Sequence, residues 1–331
     1  MIAPFGTTKA GRPVDAITIS AGDLTAKILT FGAILNDVRL QGVPYGLTLG
    51  SNDLAAYDRG PMDYFGTLVG PVANRISGAS ATLDGQVLTF DANEGETTLH
   101  GGTEGMHTEI WQIADHTDHS VTLTLTLSNG KGGFPGTRQI TARYEVEAPT
   151  TLRLRLSATT DAPTFMNIAN HSYWSLDGRA TTEGHWLKLN ADRYTPVDAR
   201  LIPTGVCDVV GTGFDLREGR VLRPSDAQRY DHNFCLSDQP GEMKQAAVLK
   251  GETGVTLVME TTEPGLQVFD AAPIDSGTFS GHRDVPEVGF CGVALEAQRW
   301  PDAPNQPTFP SVILRPGETY AQETLWRFSK D

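Results

Sequence analysis

The chain has 331 residues, 39% of them hydrophobic, and a formal net charge of −14. That charge argues against nucleic acid and anionic membranes as partners, because both are held through positive fields, and it makes a strongly anionic substrate a poor fit. The three cysteines, Cys207, Cys235 and Cys291, are far apart and form no Cys-x-x-Cys, which argues against a disulfide framework or a cysteine-based zinc site and fits a reducing compartment. The opening MIAPFGTTKAGRPVD has no apolar signal region, and no run of about 18 apolar residues follows, so the expected location is the cytoplasm.

Taken from the N-terminus, the first distinctive stretch is NDLAAYDR at 52–59, a short helix with Asn52 or Asp53 as its cap. GPVANRISG at 70–78 sets Arg75 between glycine-flanked turns, as a structural ion pair or a ligand contact. ATLDGQVLTF at 81–90 has Asp84-Gly85 between two β-rich runs, the signal of a two-residue hairpin. In TTLHGG at 97–102, His100 precedes two glycines, which let backbone turn sharply or approach closely. It is either a loop histidine or one that faces a ligand. His116 and His119 in DHTDH lack a third ligand at metal spacing and read as a polar loop, so no metal site is expected.

VTLTLTL at 121–127 and LRLRLSA at 152–158 alternate strictly, which belongs to antiparallel sheets with one wet face. In TFMNIANHSYWSL at 164–176 an extended chain would put Phe165, Asn167, Ala169, His171 and Tyr173 on one face. His171 there is a satisfied core histidine or a functional group. The Asn-His-Ser at 170–172 matches a glycosylation acceptor, but without a signal peptide it reads as coincidence. Asp231 in YDHNFCL opens a probable strand, as a cap or as a ligand contact. VTLVME at 255–260 and LQVFD at 266–270 are further strands, the second carrying Gln267.

FCGVALEAQRW at 290–300 is a strand with an ordinary apolar face, Cys291, Val293, Leu295 and Ala297. The opposite face carries Phe290, Gly292, Ala294, Glu296 and Gln298. Glu296 either surfaces or pairs with a cation such as Arg299, or it sits beside space left by the small residues and meets a ligand. Glycines and prolines punctuate the whole chain, with no linker, composition break or repeat. The expectation is an all-β, large antiparallel sandwich in a single domain, 1–331, with few short helices. Neither a phosphate-binding GxxxxGK[ST] loop nor a strand-GxGxxG-helix unit occurs, so no nucleotide cofactor is expected.

Taken together, these segments resemble the aldose 1-epimerase (galactose mutarotase) family. GTLVGPVANRISGASATLDGQ, TTLHGG, NHSYWSL, DHNF, PGLQV and ALEAQRWPDAPNQPTFPSVILRPGETY match its motifs in one order along nearly the whole chain. The resemblance implies a β-sandwich with a sugar groove, interconversion of the α and β anomers of a free aldose, and no cofactor. It implies Glu296 as the base at the anomeric hydroxyl O1 and His171 as the acid at the ring oxygen O5. His100 and Arg75 would polarise the sugar, and Asp231 and Gln267 would bind its hydroxyls. The implied partner is a neutral monosaccharide; nothing in the sequence selects monomer over homodimer.

Opening a hemiacetal takes a proton from O1 and delivers one to O5, and closure reverses both roles, so acid and base need pKa values near neutrality. One departure bears on substrate. After LQV the family commonly has an aromatic residue, Thr, Gly, Asn and then Phe, which forms an apolar side of the groove. Here the chain reads Phe269, Asp270, Ala271, Ala272, Pro273. A pentose, a deoxy-sugar or an acid sugar therefore stands beside galactose and glucose. A non-catalytic sugar-binding module and a glycoside hydrolase using Asp231 and Glu296 are the competing readings.

Overall fold

Alternating apolar and polar residues in the middle of the chain build a nine-stranded antiparallel sheet. Its order is Gln112–His116, Ser120–Leu127, Arg138–Glu147, Thr151–Thr160, Tyr320–Lys330, Val255–Thr261, Lys244–Lys250, Trp186–Leu189, Arg220–Val221. The structure, a computed structural model, describes residues 1–331. Val121, Leu123, Leu125 and Leu127 face inward, and Thr126 is exposed on the other side. Arg153 and Arg155 leave on the wet face and pair with Glu147, Glu145 and Glu323. Exposed pairs of this kind add little stability, so the inward leucines dominate.

A four-stranded N-terminal sheet spans Ile2–Thr7, Pro13–Ala21, Leu24–Leu29 and Leu35–Leu40. A six-stranded sheet runs in the order Tyr173–Trp174, Val293–Gln298, Gly265–Phe269, Asp231–Cys235, Arg193–Thr195, Cys207–Asp208. One cluster of 54 buried residues draws on all three, with Ile17 and Ile19 from the first, Leu123 and Leu154 from the largest, and Leu266 and Leu295 from the third. The fold is the expected antiparallel β-sandwich.

The local readings meet mixed outcomes. The helix is a single turn, Ala55–Asp58, and the Asp53 carboxylate accepts from the Ala55 N–H at 2.9 Å. The hairpin turns at Asp84 and Gly85, both at positive φ (50° and 81°), as a two-residue turn between right-twisted strands requires. His116 ends a strand and His119 lies in the following turn, both exposed. The three cysteines are unpaired, and no helix is long and apolar enough to cross a membrane.

The segment 164–176 is not one extended strand. It breaks into Thr164–Phe165, Ala169–Asn170 and Tyr173–Trp174, each paired with a different partner. The breaks hold because buried amides take over where ladder bonds stop. Asn167 bonds the Arg299 N–H and carbonyl, and Asn170 reaches the Gly66 carbonyl and the Ser172 N–H. The chain thereby crosses between layers and delivers His171 at a bend.

Burial on the large sheet sets an expectation for stability. Leu123→Ala costs about 2–5 kcal/mol through lost burial and a cavity. Thr126→Ala, on the exposed face, stays within about 0.5 kcal/mol. Urea midpoints at constant slope check both.

Candidate active site

The site stands on one face of the six-stranded sheet. Residues directly opposed across antiparallel strands project to the same side. One such row is Glu296, Gln267 and Asn233. The neighbouring row is Tyr173, Ala294, Phe269 and Asp231. The reverse face of these strands offers Leu295, Leu266, Val268 and Phe234 to the core. A hydrophobic back thus fixes a polar front, and a slip of one residue would exchange them.

The small residues on the front face do not leave open space. A Cβ at Gly292 would lie 2.9 Å from the Tyr173 Cβ and 3.0 Å from Leu49. Ala294 is buried in a cluster with Tyr173 and Leu49. Both lie against Tyr173, whose ring stands 5.0 Å from the His171 ring. Glu296 neither surfaces nor pairs with Arg299. It is 2% exposed, and Arg299 approaches the buried Glu263 instead, at 3.9 Å.

Two further residues come from loops. Arg75 begins a two-residue strand whose register sets it opposite Leu99, one residue before His100. His100 has φ 53°, and Gly101 follows at φ 87°, where a Cβ would meet the Gly70 carbonyl oxygen at 2.2 Å. The backbone N–H of Asn74 donates to His100 Nδ1 at 3.1 Å. That bond places the proton of a neutral His100 on Nε2, leaving a donor for a ligand.

These elements enclose a cavity of about 160 Å³. Arg75, His100, His171, Asp231 and Glu296 supply its polar wall, and Tyr64, Leu99, Tyr173, Phe269 and Ile274 its apolar one. His171 Nε2 lies 3.6 Å from Glu296 Oε1. Glu296 Oε2 and His171 Nδ1 have no partner in the protein. Gln267 Nε2 donates to Asp231 Oδ1 at 2.6 Å, and Arg75 Nη1 stands 4.0 Å from Asp231 Oδ2. Ligating atoms of His100, His171 and Glu296 fall within 4.8 Å of one another. Three atoms this close can meet one oxygen of a small ligand, and the same donor set suits a divalent cation.

Burial governs the protonation of the site. It holds Glu296 well above the usual carboxylate range, with Asp231 adding to the rise and Arg75 opposing it. It holds His171 down at about 4. His100 is also pushed well below its ordinary value, by burial first and then by His171 and Arg75. Asp231 is raised by burial, against the pull of Arg75 and Gln267.

All six residues singled out in the sequence meet here: four line the polar wall with Asp231, and Gln267 stands behind it as its donor. Sequence reasoning missed Tyr64, whose ring lies 4.8 Å from His100 and 6.1 Å from His171. It also missed Ile274 and Glu94. Tyr64 sits in an apolar run with no period that marks it, and Glu94 looks like one acid of a solvated loop. The Asp270–Pro273 departure forms a turn, with Ala271 at φ 57°. Asp270 fastens it by accepting from the N–H groups of Tyr230 and Ala272, both at 3.1 Å. The turn delivers Ile274 to the wall.

The fold and this pocket define a class: β-sandwich proteins whose buried pocket sets a carboxylate beside histidines. The chain belongs to the aldose 1-epimerase family, a family of carbohydrate isomerases, whose model matches residues 15–327. It is 33% identical to the galactose mutarotase of Bos taurus over 339 residues, covering 99% of this chain and 98% of that protein. It is likewise 33% identical to the aldose 1-epimerase of Escherichia coli K12, covering 96% of each. Among solved structures, an aldose epimerase homologue from C. elegans superposes with a TM-score of 0.88 at 30% identity, covering 95% of this chain and 98% of that one. The galactose 1-epimerase of Lactobacillus acidophilus gives 0.86 at 26% identity, covering 100% and 98%.

The left-handed turn after His100 is a point of control. Gly101→Ala meets both the positive φ and the Gly70 carbonyl, so it costs about 1–3 kcal/mol or shifts His100. Urea unfolding, with the His100 ring resonances followed by NMR, reads both effects.

Proposed function

We propose that this chain interconverts the anomers of a neutral aldose. Glu296 takes the proton from O1, and His171 gives one to the ring oxygen O5. The C1–O5 bond breaks to leave an open-chain aldehyde, rotation about C1–C2 presents its other face, and closure reverses both transfers. Arg75 and the Nε2–H of His100 donate to the sugar oxygens, while Asp231, held by Gln267, accepts from a hydroxyl. The observation that carries this reading is the 3.6 Å separation of Glu296 Oε1 and His171 Nε2 inside one buried pocket.

Burial shifts both groups, and His171, at about 4, falls below the near-neutral value expected of the acid. A carboxylate raised by burial is a stronger base toward O1, and an imidazolium whose pKa is depressed is a stronger acid toward a weakly basic ring oxygen. The working pair shares one proton. A second proton silences Glu296, and loss of the only one silences His171, so kcat/KM follows a bell whose two limbs belong to the pair. The pairing of an acid with a base favours an enzyme over a plain sugar-binding module. The engagement of Asp231 by Gln267 and Arg75 weighs against its use as a hydrolase carboxylate. A cytoplasmic setting is supported by the three unpaired thiols.

The test is anomer exchange by NMR on galactose, glucose, xylose, arabinose and fucose. Glu296→Gln and His171→Asn each lower kcat by about 10²–10⁴-fold with the fold intact by circular dichroism. Glu296→Gln also removes the acidic limb of the pH profile. Activity retained by either variant removes that residue from its role.

A further inference from the structure

Arg75 is the only lysine or arginine on the wall of the pocket. Its side chain is 9% exposed, so its charge needs a close partner. The pocket acid Asp231 stands 4.0 Å away, an ion-pair contact without a hydrogen bond. Glu94 fills the role from outside the sugar face. Arg75 Nε donates to Glu94 Oε2 at 2.6 Å, and Nη2 donates to Oε1 at 2.7 Å. This is the bidentate geometry that fixes a guanidinium plane as well as its charge.

The loop that carries Glu94 is built to hold it there. Glu94 and Thr97 exchange backbone bonds at 3.1 and 2.9 Å. The Asn93 side chain accepts from the Leu99 N–H at 2.7 Å and donates to the Leu99 carbonyl at 3.1 Å. Leu99 is the register partner of Arg75. Arginine and clamp are therefore parts of one pairing.

We propose that Glu94 is a positioning residue that neutralises Arg75 and so makes the pocket select uncharged sugars over uronic acids. The inference rests on the epimerase reading for its substrate class. With Glu94 in place, the one cation of the pocket is already matched. The other charged groups that act on Arg75 are acids: Asp231 and, two strands along the sheet, Glu296. His100 stays neutral because it is buried, and His171 shares a single proton with Glu296. A uronate carboxylate finds no unmatched positive charge and meets the Asp231 carboxylate beside a Glu296–His171 pair of no net charge. Hydroxyls lose nothing, since Arg75 Nη1 still donates. The selection is by repulsion as much as by fit.

The test compares wild type with Glu94→Gln and Glu94→Asp. Binding of galactose against galacturonate, and of glucose against glucuronate, is measured by calorimetry, together with anomer exchange and guanidinium NMR of Arg75. Wild type prefers each neutral sugar, and Glu94→Gln narrows that preference about tenfold, chiefly by tightening uronate binding. The same variant moves the acidic limb of kcat/KM to lower pH, because the unmatched arginine favours ionised Glu296. It also frees the Arg75 Nε–H to exchange faster. Glu94→Asp retains most of the wild-type preference. A preference changed by less than about twofold in Glu94→Gln, with the limb unmoved, overturns the proposal even if every neutral sugar is epimerised. If the preference shifts as stated but no anomer exchange occurs, this proposal stands and the epimerase reading falls. If no sugar binds, both fall.

Discussion

A carboxylate and an imidazole that share one buried pocket are the constraint on which the site depends. Water would keep Glu296 an ordinary weak base and His171 an ordinary weak acid. Burial moves each toward the strength its proposed step requires. The cost of burying them is borne by the surroundings: Leu295 and Leu266 behind the sheet, the Tyr173 and Tyr64 rings around His171, and Arg75 across the pocket.

The division of labour follows from the architecture. Strands hold what must not move: Glu296, Gln267 and Asp231 share a sheet whose register is fixed by its apolar back. Bends hold what must reach in: His171 at a break between short strands, and His100 at a left-handed turn. The breaks are possible because the side chains of Asn74, Asn167 and Asn170 take over bonds that a regular ladder would have supplied, Asn74 by accepting from the Arg75 N–H.

The strict alternation of Val121–Leu127 and Leu152–Leu156 made the large sheet legible, since period two leaves no other way to bury that face. Asp84-Gly85 was legible for the same reason, with both residues tolerating positive φ. The site residues stood out as polar groups in apolar company, and the ordered motifs of a family joined them. Segment 164–176 misled because long-range pairing overrode its local pattern. The small Gly292 and Ala294 suggested room for a ligand, and the room belongs to Tyr173. Glu94 was illegible because nothing local separates an acid that clamps a buried arginine from one that faces water.

The central claim is that the ring opens at C1–O5 between Glu296 and His171 while the C1–O1 bond stays intact. Its most direct test is anomer exchange on a sugar carrying heavy oxygen at O1. The account predicts many anomeric exchanges with the label lost no faster than in the uncatalysed control, and a collapse of that exchange in Glu296→Gln. Label lost in step with each exchange would mean that C1–O1 is broken, and would contradict the account.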